Sequence, residues 1–169
     1  MTYQELLNKI VQLQEEGLEL FNAGKSVLGK NILATHVGSY DGPQVLFQAG
    51  IHAREYITST LLVELARNLH NNNLVEGGGI YFIFLTNPDG AEIVLDGINS
   101  VNCNITKQYL TLANGGSEDF SQYKANINLV DLTQTSMQIG EAEAKMCFAL
   151  IQKILLDFTL TASVKFCRL

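Results

Sequence analysis

Gln44-Val45-Leu46-Phe47-Gln48-Ala49-Gly50-Ile51 is an almost wholly apolar run that passes directly into His52-Ala53-Arg54-Glu55. A strand is apolar on both sides when both of its faces are covered, so this run predicts a strand in the middle of an α/β sheet. Behind it, Ile57, Leu61, Leu62, Leu65 and Leu69 recur at helical spacing, which predicts a helix over Arg54–Leu69. Gly77-Gly78-Gly79 then ends a polar loop, and Ile80–Leu85 is a second apolar strand. The order strand, helix, strand implies parallel pairing through a right-handed crossover. Upstream, Asn31–Gly38 is rich in Val, Ile, Leu and Thr, and Asp41-Gly42-Pro43 separates it from Gln44. That pattern reads as a hairpin between Asn31–Gly38 and Gln44–Ile51.

Further out, Leu6, Leu7, Ile10, Leu13 and Leu18 form one apolar stripe among polar residues, a helix expected to end at Ala23-Gly24-Lys25. Asn87-Pro88-Asp89-Gly90 is a turn signal. Ala91–Asn128 mixes Gly, Asn and Ser with short apolar pieces and is too long for a bare connection, so a functional loop is expected there. Met146, Leu150, Ile154 and Leu155 predict a last helix over Glu141–Asp157, and Phe158–Val164 alternates like a strand. The fold class is therefore α/β, a three-layer α/β/α arrangement around a mixed, mainly parallel sheet, with residues 1–169 as one domain.

Composition narrows the function. The 169 residues suffice for one core, and no apolar run is long enough to span a bilayer. Met1–Glu16 lacks the pattern of a secretory leader. The formal charge of −6 is spread along the chain with no basic cluster, which argues against nucleic acid as a partner. Cys103, Cys147 and Cys167 are an odd set without CxxC spacing, so neither a disulfide framework nor a cysteine metal site is implied, and a reducing cytoplasm fits.

His52 and Glu55 stand where the apolar strand gives way to a helix, the edge at which α/β sheets present ligand-binding groups. An imidazole and a carboxylate separated by one such turn can converge on a cation, and nitrogen with oxygen suits zinc. On spacing alone, an acidic residue at a helix start beside an incidental histidine explains the pair more readily than a metal site does. His36 and His70 read as structural.

Several separated blocks change that balance. Gly24-Lys25-Ser26-Val27-Leu28-Gly29, Gly50-Ile51-His52-Ala53-Arg54-Glu55, Asn87-Pro88-Asp89-Gly90, Asn114-Gly115-Gly116-Ser117 leading into Tyr123-Lys124-Ala125-Asn126, and Val130-Asp131-Leu132 occur in this order. Together they resemble the carboxypeptidase A-like zinc peptidases, particularly bacterial members acting on cell-wall or other peptides. The resemblance implies one zinc ion held by His52 and Glu55, a peptide substrate contacted by Arg54, and Asp131 hydrogen-bonded to the ligand histidine.

The pattern also departs from the family. Position 128 holds Asn where the resemblance places an oxyanion-stabilising arginine, so Asn128 is left as a neutral donor to substrate. Thr133-Gln134 replaces an Asn-Arg pair that grips a terminal carboxylate. Val164-Lys165 stands where the third zinc-binding histidine is expected, and no residue matches the general-base glutamate. The expectation is thus a truncated, degenerate zinc carboxypeptidase-like domain, the N-terminal half of the family's catalytic domain. It would be inactive or strongly impaired, or act in weak metal binding or association, with a homo-oligomer covering the face its other half would bury.

Overall fold

The structure, a computed structural model, describes residues 1–133 and the backbone of a strand at 165–168. Helix α1 (Tyr3–Glu15) opens with a capping box, in which the Thr2 hydroxyl accepts from the Glu5 amide and the Glu5 carboxylate accepts from the Thr2 amide. Tyr3, Leu6, Ile10 and Leu13 form its buried face. The helix stops well before Ala23. Gly17 N–H donates to the Gln14 carbonyl and Leu18 N–H to that of Leu13, a Schellman termination that the Gly17 position signals in the sequence. Residues expected at the helix end instead form strand β1 (Leu20–Lys25).

Strand β1 makes an antiparallel hairpin with β2 (Asn31–Gly38). Strand β3 (Gln44–Gln48), helix α2 (Ile57–Asn71) and strand β4 (Gly79–Ile83) follow, and β3 and β4 pair in parallel as expected. The hairpin expected between β2 and β3 does not form, because β4 lies between them, antiparallel to β2. With β5 (Lys165–Arg168) parallel to β3, the sheet order is β1-β2-β4-β3-β5.

Among the described residues two of the four strand pairings are antiparallel, so the sheet there is mixed, without the expected parallel majority. The physical reason lies in the glycines before β4. Ser39 N–H donates to the Gly78 carbonyl and Gly79 N–H to that of Pro43, so the β2–β3 connection straddles the start of β4. A Cβ on Gly78 would lie 2.2 Å from the Pro43 carbonyl oxygen, and only a glycine admits that approach.

Leu33, Val37, Ile80 and Phe82 face helices α1 and α2 and share a core with Leu6, Ile10, Leu62 and Val63. The opposite face carries Ile32, Ala34, Leu46, Tyr81 and Ile83. Among the described residues no helix covers that second face. The helix expected over Glu141–Asp157 and the strand over Phe158–Val164 fall outside the described residues.

The region expected to be a long functional loop instead carries the end of one α-helix, a short 3-10 segment and a second α-helix before a stretch of turns. Asn87 caps helix α3 (Pro88–Asp96), its side-chain oxygen accepting from Gly90 N–H, and Pro88 occupies the first turn, where its missing N–H costs nothing. The motif read as a turn is therefore a helix start. Helix α4 (Asn104–Ala113) follows, and Ile93, Ile98, Leu110, Phe120 and Ile127 close a third apolar cluster. No helix among the described residues is long and apolar enough to cross a membrane.

His36 lies on β2, its Nε2 2.9 Å from the Gln44 side-chain oxygen and its ring stacked on Tyr40. Burial lowers its pKa from the ordinary 6.5, with the Gln44 contact opposing. The unfolded chain therefore takes up a proton first as the pH falls, and stability should decline from about pH 6.5 until the folded ring also titrates. Urea midpoints measured across that window should show the decline in the parent chain and a flatter profile in His36→Gln.

Candidate metal centre

The chain leaves β3 through Ala49 and Gly50 and turns through a short 3-10 segment, Ala53–Glu55, into α2. His52 precedes that segment in extended conformation, so its ring and the Glu55 carboxylate project from the same turn. His52 Nδ1 is 3.0 Å from Glu55 Oε2. On the other edge of the ring, Nε2 is 3.4 Å from Asp131 Oδ1 and 3.4 Å from Thr133 Oγ1. Both carboxylates and the ring remain partly accessible to solvent. The imidazole thus stands between two carboxylates, one three residues away and one brought from far along the chain.

Backbone hydrogen bonds bring Asp131 there. Ala53 N–H donates to the Lys124 carbonyl and Arg54 N–H to that of Tyr123, each 3.0 Å. The buried Asn87 side chain donates to the Ala125 carbonyl at 3.0 Å and to the Ile51 carbonyl at 3.3 Å, so one amide joins the His52 turn to the 123–125 segment. Asn126, also buried, accepts from Asn128 N–H and Val130 N–H through its side-chain oxygen. This closes a tight turn in which Leu129 has φ 63°, and the chain returns to His52 at Asp131.

The Thr133 hydroxyl donates to Asp131 Oδ1 at 2.6 Å and the Thr133 amide donates to the same oxygen at 3.0 Å. These bonds, the hydroxyl first, hold the Asp131 carboxyl below its usual pKa, and His52 adds to the effect. A carboxylate so held stays ionised and keeps its acceptor character toward the ring.

The structure therefore brings His52, Glu55 and Asp131 together. Arg54 lies in the same turn, and its guanidinium donates to the Gln122 side chain at 3.2 Å. Asn128 is exposed on the Asn126 turn. His36 sits on β2 and His70 in the last turn of α2. Among the described residues, no set of three His, Cys, Asp or Glu side chains is grouped to hold a metal ion. Asn87, Asn126 and Thr133 carry positioning roles that residue-by-residue reading passed over. Asn87 was the findable one, since Asn before Pro after an apolar strand is a helix-cap signature.

Fold and site define an α/β domain with an imidazole–carboxylate pair at the carboxyl end of a parallel strand, backed by a carboxylate on the far ring nitrogen. The zinc carboxypeptidase family model matches residues 3–109, and the chain belongs to that family. It is 30% identical over 145 residues to gamma-D-glutamyl-L-diamino acid endopeptidase 1 of Lysinibacillus sphaericus, covering 77% of this chain and 36% of that protein. It is 32% identical over 106 residues to metallocarboxypeptidase A of Trichophyton tonsurans, covering 53% of this chain and 25% of that one. The chain thus spans between a quarter and about a third of the length of these curated relatives.

Among solved structures, bovine thrombin-activatable fibrinolysis inhibitor, in complex with tick carboxypeptidase inhibitor, superposes with a TM-score of 0.67 at 15% identity, over 99% of this chain and 59% of that one. A metallo-carboxypeptidase from Burkholderia cenocepacia gives 0.54 at 12% identity, over 97% of this chain and 38% of that chain. At these identities the likeness concerns the fold.

Proposed function

We propose that His52 and Glu55 hold one zinc ion in a metallopeptidase-type site directed at a peptide bond, within the family's three-layer α/β/α domain. The carrying observation is the His52 ring, with Nδ1 facing Glu55 at 3.0 Å and Nε2 facing Asp131 at 3.4 Å. Two donors, each about 2.1 Å from one zinc ion, span about 3–3.5 Å, so the His52–Glu55 pair fits the ion. Asp131 and Thr133 supply the outer partners that such a histidine needs.

Zinc, when bound, supplies Lewis-acid polarisation of a carbonyl and activation of water. The chain's own residues orient that chemistry. Asp131 and Thr133 face the Nε2 edge as acceptors, and a proton held there leaves the Nδ1 lone pair on the Glu55 side. Arg54, beside the pair, offers a cationic donor to a peptide carbonyl or carboxylate. Asn128 offers a neutral donor where charge develops, and a weakened oxyanion donor costs about 100- to 1,000-fold in rate. The L. sphaericus relative's name makes γ-D-glutamyl–diamino acid peptides the first substrates to try.

A second reading, metal binding without turnover, is favoured by Asn128 and Thr133-Gln134, which remove the charged groups expected to hold an oxyanion and a terminal carboxylate. Zinc calorimetry on the metal-stripped chain tests the site, and peptide hydrolysis separates the two readings. The parent chain should take up zinc with one-to-one stoichiometry, and His52→Ala should weaken uptake by about 100-fold or more, at or beyond the effect of losing an outer partner. Equal uptake by the parent and His52→Ala, or none by either, would remove the proposed site.

A further inference from the structure

We propose that Thr133 is a positioning residue for His52, bridging its Nε2 edge to Asp131 and so keeping Nδ1 open toward Glu55. A neutral imidazole has one proton for its two nitrogens. Each edge of this ring has a claimant. Glu55 Oε2 stands 3.0 Å from Nδ1, closer than the 3.4 Å between Nε2 and Asp131 Oδ1. Left to these two carboxylates, the proton is drawn to the nitrogen whose lone pair a cation requires.

Thr133 alters that balance in two ways. Its amide and hydroxyl both donate to Asp131 Oδ1, at 3.0 and 2.6 Å, and fix the carboxylate in place. Its hydroxyl, with its only proton turned to Asp131, presents lone pairs to Nε2 at 3.4 Å. The Nε2 proton therefore meets two acceptors instead of one. Thr133 occupies a position where the family resemblance places an asparagine, so the substitution that removes a substrate contact supplies a second acceptor for the ring.

The consequence for metal affinity rests on the zinc-site reading above; the consequence for the ring does not. Thr133→Val keeps the shape and removes the hydroxyl, and Thr133→Ser restores it. In the metal-free chain at mildly alkaline pH, nitrogen NMR of the His52 ring should show a larger share of the Nδ1–H form in Thr133→Val, with the parent ratio in Thr133→Ser. Zinc calorimetry should show about 10-fold weaker binding in Thr133→Val and parent affinity in Thr133→Ser.

A Thr133→Val chain with the parent's tautomer ratio and zinc affinity would overturn the inference. If the parent binds no zinc, the zinc-site reading fails and the tautomer ratio alone decides the role of Thr133. Thr133→Ala serves as the second hydroxyl-free variant should valine disturb folding.

Discussion

Asp89→Ala should destabilise the chain by about 3–5 kcal/mol, lowering its melting temperature by about 6–20 °C. Asp89 is fully buried on α3. Its Oδ1 accepts from the Ser26 hydroxyl at 2.9 Å and from Lys30 Nζ at 3.0 Å, and its Oδ2 accepts from Leu28 N–H at 2.9 Å. One carboxylate therefore organises the whole connection between β1 and β2. Lys30 also reaches Glu92 at 2.8 Å. Burial works against the Lys30 charge, while Glu92 and Asp89 outweigh it and raise its pKa.

Removing Asp89 leaves a buried hydroxyl and an amide without their acceptor and the Lys30 ammonium with Glu92 alone, which is the expensive way to break such a cluster. Asp89→Asn should cost less, since it keeps the size and one oxygen. Thermal melting of the two variants checks the ranking; a parent-like melting temperature for Asp89→Ala would show that water satisfies these groups at no cost.

Gly50→Ala should cost about 2–5 kcal/mol, the sum of a left-handed backbone and overpacking. Gly50 has φ 59°, and a Cβ there would lie 2.5 Å from Leu85 Cδ1 and 2.8 Å from Ser59 Oγ, both in the buried interior. The position also governs the site. Gly50 N–H donates to the Thr58 hydroxyl, which donates in turn to the Glu55 carbonyl, and the Gly50 carbonyl accepts from Asn87 N–H. A shift at Gly50 is passed to both ends of the His52–Glu55 turn. Urea unfolding and zinc calorimetry on Gly50→Ala should therefore change together. Lost stability with parent zinc affinity would show that the turn is held independently of the strand end.

The sequence carried the parts of this fold that depend on local pattern. Apolar runs at Gln44 and Ile80 with a 3.6-period stripe between them gave a parallel strand–helix–strand unit, and that unit places His52 and Glu55. What failed was neighbourhood. Asn31–Gly38 and Gln44–Ile51 look like a hairpin, because a short polar link joins them. The insertion of β4 is decided by glycine contacts at Gly78 and Gly79, which no periodicity reports.

Asp131 came from a resemblance, and its approach to His52 depends on Asn87 and Asn126 bonding backbone atoms across the chain. A buried asparagine has no hydrophobic pattern to announce it. Asn87-Pro88 could have been read as a helix cap, and the glycine at position 17 as the end of α1.

Three successive carbonyls, those of Tyr123, Lys124 and Ala125, attach the far segment to the His52 turn. A main-chain oxygen is the same whatever residue bears it. Ser121 and Lys124 are exposed beside the site, and neither side chain accepts from Ala53, Arg54 or Asn87 across this junction, whereas that of Gln122 accepts from the Arg54 guanidinium and is best left in place. Replacing Ser121 or Lys124 redraws the wall that an incoming molecule meets and leaves the distance from His52 to Asp131 untouched.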